Sequence, residues 1–192
     1  YSSQNKLFML SLLHEKHIAF AEHLIMEEPS FVFPVRLYAE RYYYLDEKLY
    51  VYYHSTGSTL RSGDWEKRKW DNLQVWVSLI EDLRNRDLLF VYWQEIEYLF
   101  FTMGLGWSLA MMFQRGCILN GEEWKIFANI VYQMIPTIRE NPYVKKESHP
   151  FNQAWNSLLL AVLDMEFSDA DVAAANRAMI ESAQAFSACP VF

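Results

Sequence analysis

Residues 98–114, YLFFTMGLGWSLAMMFQ, are seventeen consecutive residues without a formal charge, set between Glu97 and Arg115. Such a run is at the short end of what crosses a bilayer as a helix. It therefore suits a membrane span, a buried central helix, or a face that joins a larger assembly. Thr102, Gly104, Gly106 and Ser108 permit close helix packing in lipid and in a soluble bundle alike. The marginal length, with Glu95 and Glu97 in the preceding turn, favours the buried central helix.

The remainder of the chain has to supply the shell around that helix. At 192 residues it is long enough for one sizeable core, and the reading is a single helical domain over 1–192. Apolar residues reach 52% and charged ones only 21%, so the chain is expected to fold or assemble. The net charge of −7 is spread evenly: residues 1–96 carry 11 basic and 14 acidic side chains, residues 97–192 carry 6 and 10. Neither half has the basic excess that phosphate neutralisation requires, so nucleic acid is not an expected partner. Lys67-Arg68-Lys69, bracketed by Glu66 and Asp71, reads as a solvated helix face.

Hydrophobic periodicity predicts helices throughout. Residues 5–28 carry apolar side chains at helical spacing and end at Glu27-Glu28-Pro29, because the residue before proline is pushed out of the α region. Residues 35–53 fit a helix through Val35, Tyr38, Tyr42, Leu45, Leu49 and Tyr52, although Leu-Tyr-Val-Tyr-Tyr also suits a strand. Residues 54–63 read as a loop, with Asp64 capping a helix to about Arg84. Trp70, Leu73, Val77 and Ile80 form its buried stripe. A further helix is predicted from Leu88 to Arg115, with Gly116 as a left-handed C-cap.

Asn120 with Glu123 resembles a capping box for a helix whose apolar face is Trp124, Phe127, Val131, Met134, Ile135 and Ile138, broken by Pro136. Asn141-Pro142 pairs an N-cap with proline at the first helical position. Residues 151–165 form another helix through Trp155, Leu158, Leu159 and Val162. Ser168 with Asp171 opens a last one, to about Ser187. The expected fold is all-α, an irregular bundle of about seven helices with one central apolar helix.

Chemistry-bearing patterns are sparse. His14 and His17 share a helix face, but His23 lies on another and no third ligand follows, so no metal site is expected. Glu27-Glu28, Glu122-Glu123 and Asp169/Asp171 read as helix-terminus residues. Arg139 and His149 are separated by two proline breaks, so no helical register joins them. There is no Gly-x-Ser-x-Gly, P-loop, dinucleotide fingerprint or Cys-x-x-Cys. Cys117 and Cys189 suit either one disulfide in an oxidising compartment or two small apolar residues. The reading leans away from an enzyme and names no cofactor and no catalytic residue.

The strongest non-core feature is the set Tyr38, Tyr42, Tyr43, Tyr44, Tyr50, Tyr52 and Tyr53, which cannot all face one side of a helix. Tyrosine is favoured where one end is apolar and the other wet, so these residues are the candidate interface. Trp93, Met103, Trp107, Met111 and Met112 are the candidate lining of a cavity for a hydrophobic small molecule.

Gly121-Glu122-Glu123-Trp124, followed by Pro136-Thr137-Ile138-Arg139-Glu140-Asn141-Pro142-Tyr143, resembles a group of uncharacterised bacterial proteins with a short N-terminal membrane anchor ahead of a helical domain. The likeness covers about a third of the chain and carries over no functional residue. It implies a membrane-tethered helical domain. The chain departs from that pattern in its tyrosine-rich segment and in carrying no anchor itself; the absence of an N-cap before residue 5 agrees with an anchor upstream. The expectation is thus a non-enzymatic accessory or interaction domain, associated with a membrane or a membrane protein complex and bound to a protein partner. The alternative is a helical sensor that holds a hydrophobic ligand.

Overall fold

The computed structural model describes residues 2–51, 53, 65–147 and 150–187. The loop expected at 54–63, the Asp64 cap, Tyr52, His149 and Cys189 lie outside the described residues. The fold is all-α, and no strand occurs among the described residues. The helices are α1 (Leu10–Glu15), α2 (Glu28–Tyr38), α3 (Trp65–Arg68), α4 (Asp71–Asn85), α5 (Trp93–Gln114), α6 (Gly121–Met134), α7 (Pro142–Lys146), α8 (Pro150–Val162) and α9 (Asp169–Ser187), with a 3-10 turn at Ile138–Glu140. Two compact units result, one drawn from residues 1–64 and 70–89, the other from 65–69 and 90–192.

In the first unit α2 packs on α1 and α4. Ile18, Phe31, Val32 and Val35 form a buried cluster, with Phe8, Leu12, Leu13 and Tyr38 against it. Phe20 stacks on Phe31 at 4.1 Å, and Phe33 meets Trp76 at 5.3 Å. On α4, Leu73 and Ile80 are buried as expected, and Val75, Trp76, Leu79 and Leu83 join them; Trp70 and Val77 are half-buried.

The helix expected at 5–28 is cut to one short helix. Only Leu10–Glu15 forms α1, and α2 starts at Glu28, where the expected helix ends. Pro29 stands at the start of α2, where its missing N–H costs nothing, so this proline initiates a helix. Between the two, His17, His23 and Met26 adopt left-handed backbone, with φ of 49°, 63° and 63°. Arg86 fixes that turn: its guanidinium donates to the carbonyls of Lys16 and His17, while Nε pairs with Asp82 at 2.6 Å. The helix expected at 35–53 stops at Tyr38, and Ala39 leaves it with φ −73° and ψ 119°. Residues 41–51 are all exposed, so no buried stripe exists to hold a helix there.

The second unit is built on α5. Its 22 residues are long and apolar enough to cross a membrane, but 67% of its most apolar window is buried inside the protein. A core helix of a soluble protein meets the same criterion of length and composition. α5 begins at Trp93 and not at Leu88, because the N–H groups of Leu88 and Leu89 bond the Leu83 carbonyl and close the end of α4. Residues Phe100–Gly106 are wound as a π-helix between two α-helical halves. There α8 crosses closely: a Cβ at Gly106 would stand 2.7 Å from Trp155 Nε1. α9 packs along the last part of α5 and also meets α6 and α8.

The caps of this unit follow the sequence. Asn120 Oδ1 accepts from Glu123 N–H at 3.0 Å, and Asn120 N–H donates to Glu123 Oε2 at 2.9 Å. Asn141 caps α7, and Ser168 with Asp171 caps α9. Trp124, Phe127, Val131, Ile135 and Ile138 are buried, while Met134 is half-buried. The single helix expected from residue 64 to 84 is divided at Lys69-Trp70 into α3 and α4. Lys69 is buried and pairs with Glu123 Oε1 at 2.7 Å.

Candidate interaction surface

The expected tyrosine surface begins at the end of α2. Tyr38 is half-buried, with Lys16 Nζ lying 5.3 Å from its ring centre. Beyond it the backbone is irregular, and side chains that a helix would have shared between core and solvent all face outward. Tyr43 is 90% exposed, Tyr44 82% and Tyr53 84%, with Tyr42, Leu45, Leu49, Tyr50 and Val51 also exposed. Tyr42 donates to the Arg36 carbonyl, and Tyr44 Oη lies 3.4 Å from Asp46 Oδ1. Charge is confined to the flanking Glu40-Arg41 and the central Asp46-Glu47-Lys48. Scattered exposed apolar residues are ordinary, whereas here the exposed apolar side chains follow one another closely in sequence.

The candidate pocket residues divide. Met103, Trp107 and Met111 recur every fourth residue on α5 and are all half-buried. Met112 turns into the core. Trp93 Nε1 donates to Thr137 Oγ1 at 3.0 Å. Among the histidines, His14 and His17 are exposed, and His23 lies 4.0 Å from Glu22. Among the described residues no group of three His, Cys, Asp or Glu side chains could hold a metal ion.

A polar network at the first turns of α5 escapes any reading of the sequence. Glu97 is only 1% exposed, and its carboxylate accepts from Thr137 Oγ1 at 2.7 Å and Asn141 Nδ2 at 2.8 Å. Asn141 also donates to the Gln94 carbonyl and accepts from Tyr143 N–H, so every polar atom of its side chain is used. Neighbouring tyrosines are tied to carboxylates: Tyr143 to Glu95 at 2.7 Å and Tyr98 to Glu147 at 2.8 Å. Burial, then the bond to Glu147, pushes the Tyr98 phenol up to about 12. Tyr143 is raised as well, chiefly by its bond to Glu95. The one available signal was that Glu97 closes an uncharged run and shares a helix with buried residues.

All donors in that network meet acceptors within the fold, which describes a fastening between α5 and residues 137–147. In the exposed tyrosine segment the side-chain bonds among the described residues are those of Tyr42 to the Arg36 carbonyl and Tyr44 to Asp46. No known protein family, no curated protein and no solved structure matches the chain.

Proposed function

We propose that the chain is a non-enzymatic interaction domain that docks through residues 42–53 onto a protein partner, in or at a membrane complex. The observation that carries the reading is the run of outward-facing tyrosines, with Tyr43 90% exposed. Tyr offers large, stiff, amphipathic contact area with few rotors to freeze, which suits the centre of an interface. The membrane setting draws on the resemblance around Trp124 and Asn141-Pro142. The even acidic charge agrees with a protein partner and disfavours nucleic acid.

The test replaces Tyr43 and Tyr53 with Glu. Both side chains are exposed, so helical content and melting should hold while co-purification with the partner, or with the membrane fraction, falls about tenfold, as loss of an aromatic anchor implies. Unchanged association would sink the reading. The half-buried line Met103, Trp107 and Met111 favours a second reading, a sensor for a hydrophobic ligand. A stoichiometric apolar compound found by mass spectrometry in the purified chain, and lost in Trp107→Ala, would replace the first reading by the second.

A further inference from the structure

The backbone of the tyrosine segment narrows what its partner must offer. Among the described residues, the one backbone–backbone hydrogen bond across 40–51 runs from Leu49 N–H to Glu47 O, at 3.2 Å. No side chain of the described residues bonds this backbone either. None of these residues has a positive φ, so the segment can straighten into a strand without a left-handed residue to invert. Arg41-Tyr42-Tyr43-Tyr44-Leu45 has strand-prone composition and the length of an ordinary strand. Asp46-Glu47-Lys48 ends it with charge.

Three kinds of occupant make different demands. Lipid would take the rings at the headgroup level but offers no ladder of donors and acceptors to order the backbone. A second copy would bring only another lone segment, since no strand occurs among the described residues, and a two-stranded ribbon is marginal by itself. An open sheet edge supplies a ladder for the backbone and alternating sites for Tyr42 and Tyr44 on one face, Tyr43 and Leu45 on the other. We infer that residues 41–45 add as a strand to the exposed sheet edge of a partner protein. The inference rests on the proposed interaction surface and specifies how that surface binds.

The experiment places the photo-crosslinking residue p-benzoylphenylalanine at position 43 of the full chain in cells. It then measures amide exchange of residues 41–45 in the purified chain and in the purified cross-linked complex. The expected result is a cross-link to another protein, with alternate amides in 41–45 slowed at least tenfold on binding. Tyr43→Pro, Tyr44→Pro and Leu45→Pro extend the test, since proline removes a ladder N–H but no backbone bond inside this chain and, at Tyr44 alone, the exposed side-chain bond to Asp46. At least one should weaken binding about tenfold while melting is unchanged. A cross-linked protein whose complex leaves all these amides exchanging as in the free chain would overturn strand addition and keep the interaction surface. A cross-link only between two copies would overturn the sheet-edge partner. Cross-linking to no protein, with flotation on phosphatidylcholine vesicles or without it, would overturn both.

Discussion

Glu97 and Tyr98 are adjacent in the chain and do opposite things with their polar ends. Glu97 turns inward to Thr137 and Asn141, while Tyr98 reaches Glu147 from a partly solvated position. Removing the carboxylate in Glu97→Ala leaves two donors short of an acceptor beside a void, and should cost about 3 kcal/mol in urea unfolding. Tyr98 yields a pH prediction. Its phenol ionises near 10 when unfolded and at about 12 when folded, so the neutral form is favoured by the fold. That contribution is fully present below pH 10 and is lost as pH rises through about 12. Tyr98→Phe should flatten the fall in stability between those values, measured as melting temperature against pH. The sequence displays Glu97 as the border of an apolar run, but its partners lie 40 and 44 residues away, a separation that no local pattern encodes.

At the scale of helices, the ends explain where sequence and structure part. Three helices close with the same paired bonds around a left-handed residue: His17 after α1, Asp87 after α4 and Gly116 after α5. Glycine announces only the last, because it alone adopts that backbone without a side-chain penalty. The other two are held by context, as with Arg86 on the carbonyls of Lys16 and His17. N-caps were legible because their chemistry is local. Asn120→Ala should accordingly destabilise α6 by about 1 kcal/mol, seen as a lower urea midpoint with unchanged slope. The helix expected over 35–53 fails for a physical reason: with 41–51 wholly exposed, no tertiary packing offsets the entropy of winding it. The candidate tyrosines of 42–51 are exposed, on an irregular backbone in place of the expected helix.

For the whole molecule, two features of high apolar content are treated differently by the fold. The long helix Trp93–Gln114 places most of its apolar window inside the protein, whereas Tyr42 to Val51 stay outside. An all-α fold with an apolar central helix was readable from periodicity and from the uncharged run. Which of the two stays uncovered was not, because composition reports how much apolar surface exists and not where it lies. The helix thus belongs to the core, and the tyrosine segment is the apolar surface left exposed. Light scattering on the detergent-free chain after a sizing column separates these two surfaces, with the Tyr43→Glu/Tyr53→Glu double variant run beside it. The expected result is one discrete species for the variant, and for the parent either the same species or a self-association that the variant abolishes. Aggregation of both proteins that only detergent reverses would contradict it, because the exposed apolar surface would then be the helix.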